Sequence, residues 1–331
     1  MLVDPRTGRT CSRIQATAPD IAPLAAAVTR EGLVAWVGHV PDGRAAIGLA
    51  SPTDAKERRA SIVKSAAIPG GSSCVPCEVA SGDITVFRHG PTVAIVNGTN
   101  LDGAVNTAVP VPQPAPRSGS ATVAVMGRIA AVATVVDAPS GTRPAVTFLD
   151  VTGQVLAGSG ALLSVDGRLD SGGVLDLAST GSGILVTTTT TTTWFRQTSA
   201  GITAAARYPS NVAVPFRDQV VTLAPAAAPE VLEVHPTPEE PPRLLPVGTL
   251  GGSPRPLLAP EPGADLLWTL RTAPGASPVL VAWPAAGAAS EPVATAPLDN
   301  VGPIDRVVVT PSAFLISGPG ALSSFPRAEH P

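Results

Sequence analysis

The 331-residue chain is 44% apolar, 14% charged and 3% aromatic, with a net charge of −3. Low charge with high apolar content excludes a disordered chain, and the near-neutral balance gives no electrostatic reason to bind nucleic acid or an anionic membrane. Three cysteines exclude a disulfide scaffold, and the 32 glycines lack the Gly-X-Y period of collagen.

No apolar h-region follows Met1 to Arg6, and no window of 18 apolar residues occurs; the nearest, Ala121 to Val136, is split by Arg128. The expectation is a cytoplasmic protein, or a virion component if phage-encoded, without a membrane span. Proline (37) and glycine (32) punctuate the chain every few residues, so no helix of ordinary length is predicted.

What remains is a series of short β-prone runs. In chain order they start at Leu33, Ile84, Ile129, Ile184, Val220, Leu266 and Phe314, with gaps of 51, 45, 55, 36, 46 and 48 residues. Most have a partner run just beyond a turn: Ala46–Leu49, Val93–Val96, Val146–Leu149, Val231–Val234, Val279–Trp283 and Leu322–Phe325. Weaker third runs follow at Ser61–Lys64, Val155–Ala157 and Pro292–Thr295, and a further run such as Thr122–Val125 leads into the next unit. Four strands in roughly 45 residues is the period of a propeller blade. The predicted fold is therefore all-β: a seven-bladed β-propeller of four-stranded antiparallel blades, one domain over residues 1–331. The last unit lacks a fourth strand, and Arg13–Pro19 resembles the fourth strand at Pro292–Pro297. Residues 11–19 are thus predicted as the outer strand of the last blade, closing the ring without an open edge. A pair of β-sandwiches is the alternative that the same short runs allow.

The whole chain resembles seven-bladed propellers closed in the WD40 manner. The resemblance is one of architecture: Trp36, Trp194, Trp268 and Trp283 are followed by Val37, Phe195, Thr269 and Pro284, not by the aspartate of the family's Trp-Asp dipeptide. It implies an interaction platform, since such folds most often serve as one, although fold alone does not fix function.

Four polar residues sit just past the second strand of a predicted blade: His39, His89, Asp137 and Arg271. Alternating strand direction puts them on one face, where they would line a ligand or partner surface at the channel mouth; solvated loops explain them equally well. Cys74-Val75-Pro76-Cys77 is either a redox pair or half of a zinc site. With His39 and His89 it makes a Cys₂His₂ zinc site topologically possible. Free or disulfide-linked cysteines are the plainer reading, and no other cofactor is expected. Thr187–Thr193 reads as a polar strand pair or a hairpin that breaks inside the run. No P-loop, G-x-G-x-x-G, H-E-x-x-H or G-x-S-x-G motif is present.

Two functions remain. A non-enzymatic module that docks protein partners in a larger assembly, a phage tail among the candidates, fits the low charge and the few catalytic residue types. The alternative is a small-ligand-binding or hydrolytic propeller that uses the channel mouth. The residues at the channel mouth discriminate between them: three or more convergent titratable groups favour the enzyme, and an Ala/Val/Thr lining excludes it.

Overall fold

A computed structural model describes residues 2–3, 10–12, 22–39, 45–50, 58–62, 76–110, 121–199, 201–224, 230–251, 256–261, 264–273, 275–284, 291–299, 301, 303–304, 306–310, 313–318 and 321–326. The fold is an all-β, seven-bladed propeller in which consecutive strands pair antiparallel. Two short strands come first, β1 (Leu2–Val3) and β2 (Thr10–Ser12), paired with each other. The chain then divides into two compact units, residues 14–211 and residues 1–13 with 212–331.

The unit of residues 14–211 holds four four-stranded blades. Blade 1 is β3 (Ala22–Val28), β4 (Val34–His39), β5 (Ala45–Ala50) and β6 (Arg58–Ile62). Blade 2 is β7 (Cys77–Ser81), β8 (Thr85–His89), β9 (Thr92–Val96) and β10 (Val105–Ala108), with a single 3-10 turn at Leu101–Gly103. Blade 3 is β11 (Val123–Met126), β12 (Ile129–Ala138), β13 (Gly141–Leu149) and β14 (Gly160–Ala161). Blade 4 is β15 (Val174–Ser179), β16 (Gly183–Thr188), β17 (Thr192–Thr198) and β18 (Gly201–Tyr208). The first strands of successive blades lie side by side, β3 by β7, β7 by β11 and β11 by β15.

In the other unit, blade 5 is β19 (Ala213–Phe216), β20 (Gln219–Leu223), β21 (Val231–His235) and β22 (Arg243–Pro246). Blade 6 is β23 (Leu258–Pro260), β24 (Leu266–Arg271), β25 (Val279–Pro284) and β26 (Ala294–Pro297). Blade 7 is β27 (Arg306–Val309), β28 (Ala313–Gly318) and β29 (Ala321–Pro326), three strands among the described residues. Of the predicted closing strand 11–19, Cys11 and Ser12 belong to β2, which pairs with β1. The rest of that segment lies outside the described residues.

Apolar runs make the second and third strands because both faces of each sheet are covered. In β8, Phe87 joins the cluster shared with Ala35, Val37, Ile47 and Leu49 of blade 1. Its neighbour Val86 joins Val123, Val125 and Val132 of blade 3 on the opposite face. A strand buried on both faces reads as a continuous apolar run, not an alternating one. Between blades 3 and 4, Phe148 and Phe195 meet edge to face at 5.2 Å; between blades 6 and 7, Trp268 and Phe314 do so at 4.7 Å. Such pairs are worth about 0.5–1.5 kcal/mol beyond their burial. In blade 1, Trp36 lies across its register partner Gly48 so closely that a Cβ there would fall 2.1 Å from the indole.

A second internal repeat appears only in three dimensions. A fully buried threonine on the second strand hydrogen-bonds a side chain two residues beyond its register partner on the third strand. The pairs are Thr134 with Thr147 at 3.0 Å, Thr222 with His235 at 3.0 Å, and Thr269 with Trp283 at 2.9 Å. Each is a polar cross-strand pair that fixes register inside an otherwise apolar sheet.

One expectation of detail changes. The third run at Val155–Ala157 makes only a bridge, Val155 to Leu149, and the fourth strand is β14 at Gly160–Ala161. The outer strand of blade 1 is Arg58–Ile62, which takes in Ser61 and Ile62 of the run expected at Ser61–Lys64; Val63 and Lys64 lie outside the described residues. The short gap of 36 residues between Ile184 and Val220 spans two consecutive second strands, because blade 4 is built with tight turns throughout.

Candidate functional site

The first strands carry few groups able to do chemistry. Among the described residues of unit 14–211, they hold two titratable side chains, Glu78 on β7 and Asp176 on β15, beside the disulfide-bonded Cys77 on β7. In the other unit, β19 and β23 carry none and β27 carries Arg306.

Both carboxylates are engaged by backbone. Glu78 Oε2 accepts the N–H of Thr122 and, at 3.2 Å, that of Val123, at the entry to β11. Asp176 Oδ1 accepts the N–H of Ala121 at 2.8 Å from the opposite side. The register partner of Glu78 is Arg88, a wholly buried cation. Its Nη1 donates to Thr122 O at 3.1 Å and Ala133 O at 2.8 Å, and its Nε donates to Gly90 O at 3.2 Å. Burial raises the Glu78 pKa above the ordinary carboxylate value, opposed by the two N–H bonds and the nearby guanidinium. Burial lowers Arg88 to about 10, so it stays charged at neutral pH. The pair docks blade 3 on blade 2.

The four residues expected just past the second strands lie within them, at the last or next-to-last position. His39 ends β4, His89 ends β8, Asp137 is the penultimate residue of β12, and Arg271 ends β24. Their surroundings differ. His89 is buried, with 3% of its surface exposed, and so does not line an open mouth. The side chain of His39 lies outside the described residues. Asp137 is exposed near the tip of the β12–β13 hairpin, which pairs from Ala130–Leu149 out to Ala138–Gly141 and is the longest in the unit. Arg143 orders that tip by donating to Ser140 Oγ at 2.7 Å. Arg271, in the other unit, stacks over Trp283 at 5.1 Å and donates to Val247 O.

Of the expected zinc ligands, Cys77 is disulfide-bonded and stands directly opposite His89 in the β7–β8 ladder. Cys74 lies outside the described residues. Among the described residues, no group of three or more His, Cys, Asp or Glu converges to hold a metal.

Two polar clusters escaped the sequence reading. Asp170, 1% exposed, accepts Thr188 Oγ1 at 2.6 Å, Thr190 Oγ1 at 2.8 Å and Gly172 N–H at 2.7 Å. These bonds lock the β16–β17 turn, so the threonine run breaks as a hairpin with its ends buried. In blade 5, His235 Nε2 lies 3.0 Å from Thr222 Oγ1 and 3.5 Å from Glu233 Oε2. Burial pushes the imidazole down to about 4, so it is neutral at pH 7. The carboxylate approaches the same nitrogen as the hydroxyl, which is not the relay of a nucleophilic triad. No sequence motif marks either cluster.

No known protein family matches the chain, and no curated protein matches it either. Solved structures do. BamB from Moraxella catarrhalis aligns over 89% of this chain and 92% of its own, with TM-score 0.51 and 14% identity. Apo AztD from Citrobacter koseri aligns over 96% of this chain and 85% of its own, with TM-score 0.54 and 12% identity. At these identities the likeness is one of fold alone. Among the described residues no helix is long and apolar enough to cross a membrane.

Proposed function

We propose that the chain is a non-enzymatic interaction module that docks a protein partner in a larger assembly, with the β12–β13 hairpin as a contact element. The observation that carries the reading is the engagement of Glu78 and Asp176 by backbone N–H groups of residues 121–123. A hydrolytic or lyase site needs titratable groups poised against substrate, and these two act as structural acceptors. The hairpin has the opposite character. Asp137, Pro139, Ser140, Gly141 and Thr142 are exposed on a rigid ladder, a small, low-entropy arm suited to docking.

The test is affinity capture from the native source with two baits, the intact chain and a variant whose residues 137–142 are replaced by Asn-Gly, a two-residue turn that closes the same ladder. The expected result is a stoichiometric protein partner on the intact bait and at least tenfold less on the trimmed one. Equal capture by both baits would remove the hairpin from the interface, and no stoichiometric partner on either would overturn the reading.

A further inference from the structure

We propose that the edge of β12 left open beyond β11 receives an extended segment of the partner protein as an added strand, with a basic side chain beside Asp137. This mode rests on the docking reading of the β12–β13 hairpin and specifies the kind of partner segment that the hairpin holds.

One hydrogen bond fixes which way each residue of β12 turns its backbone. Ala133 N–H donates to Thr122 O at 2.8 Å, so Ala133 faces the first strand of its blade. In an antiparallel ladder successive residues turn their polar groups to opposite sides. Val135 and Asp137 therefore face the same way as Ala133. Thr134, Val136 and Ala138 face β13, where their register partners are Ala145, Arg143 and Gly141. The β11 ladder covers only residues 129–132. Arg88 Nη1 then takes the Ala133 carbonyl at 2.8 Å. Beyond that point Val135 and Asp137 each present an N–H and a C=O in ladder spacing, none with a backbone partner among the described residues.

The two edges of the hairpin are unlike. On the β13 side, Pro144 has no N–H, its carbonyl accepts Leu162 N–H at 2.9 Å, and Ala145 and Val146 pair with β14. Open sheet edges are ordinarily blunted by proline, lysine or a bulge. From Thr134 to Ala138, β12 has neither residue type, and its register to β13 is unbroken. Its side chains suit a partner strand. Val135 and Val136 are half-buried, one on each face, and Asp137 is exposed with no ion pair among the described residues. An added strand meets apolar contacts first and a carboxylate near the tip, where an opposite charge across the rung is favourable. Main-chain bonds give such an addition its affinity, and alternate side chains give its specificity. The chain's own segment before β11 is a poor occupant by composition, because Pro112, Pro114 and Pro116 have no N–H to donate to a ladder.

The test uses the full chain as bait for affinity capture from the native source, as wild type, D137A and D137P. Both substitutions remove the carboxylate, but only D137P removes the N–H on the open edge, which makes no bond to β13. The expected result is a stoichiometric partner on wild type and about threefold less on D137A, the scale of an exposed ion pair. D137P should capture roughly tenfold less again. The amides of Val136 and Ala138, which bond β13, should still exchange slowly in D137P and so report an intact hairpin. In wild type, the amides of Val135 and Asp137 should exchange fast in the isolated chain and roughly tenfold more slowly in the purified complex. Equal capture by D137A and D137P, or no added protection of these two amides, would overturn strand addition and leave the docking reading standing. No stoichiometric partner on any bait would overturn both. Slow exchange at Val135 and Asp137 in the isolated monomer would give the edge to the chain's own residues, and protection that appears only as the isolated chain dimerises would give it to a second copy; either contradicts the proposal. Should D137P lose the hairpin, the comparison of wild-type exchange with and without partner decides alone.

Discussion

Thr122 is gripped at both ends of its peptide, its N–H by Glu78 and its carbonyl by Arg88. Arg88 is wholly buried and donates to backbone carbonyls, and leaving a buried acceptor without its donor typically costs about 1–3 kcal/mol. Arg88→Met should therefore lose stability on that scale or above in chemical denaturation, because it leaves both Thr122 O and Ala133 O without donors. E78Q keeps an acceptor for the two N–H groups and should cost clearly less. If the two variants lose equal amounts, the pair is not the origin of the effect. His235 makes a pH prediction of defined sign. It is neutral in the fold down to about pH 4, whereas the unfolded chain takes up a proton near 6.5. Its contribution to stability is complete above pH 6.5 and is lost as pH falls toward 4. The nearby Glu233 carboxylate and partial solvent access reduce the loss to about 1–2 kcal/mol. Denaturation midpoints across that range should slope less in H235Q than in wild type. None of these groups was legible in the sequence. Glu78 and Arg88 are ten residues apart, and only the β7–β8 register makes them partners.

At the scale of elements, two features test how the strands are held. Gly48 leaves room for Trp36, and the crowding introduced by Gly48→Val should cost about 1–3 kcal/mol, read as a lower denaturation midpoint. An unchanged midpoint would mean that the indole has another place to go. The β16–β17 turn depends on Asp170, and Thr188→Val would deprive a buried carboxylate oxygen of its donor. The expected loss is about 1–3 kcal/mol. The second strands were readable from sequence because burial on both faces writes them as unbroken runs, as in Ile184-Leu185-Val186. The full reach of β12 and β13 was not. Thr134, Asp137 and the Pro139-Ser140-Gly141 turn interrupt the apolar pattern, although the ladder continues through to Ala138–Gly141. Hydrophobic periodicity reports burial, and a hairpin that projects beyond the sheet loses that signal while keeping its backbone pairing.

For the molecule as a whole, the repeat spacing carried the number of blades, and its irregularities now have causes. The gap of 55 residues reflects the long hairpin and the 150–170 excursion of blade 3, and the gap of 36 reflects the tight turns of blade 4. Each core cluster joins consecutive sheets within a unit, so packing between blades is what the apolar 44% of the chain supplies. The candidate site was legible only as an address. The ends of the second strands were located, but exposure sorted them into a buried histidine, an exposed aspartate and a stacked arginine, and that sorting depends on packing. The propeller is proposed to act by holding a protein partner. Native mass spectrometry of the chain purified gently from its source tests it most directly. The expected result is a complex of fixed stoichiometry that falls apart when residues 137–142 are trimmed to a two-residue turn. A monomer free of other chains, in intact and trimmed forms alike, would contradict it.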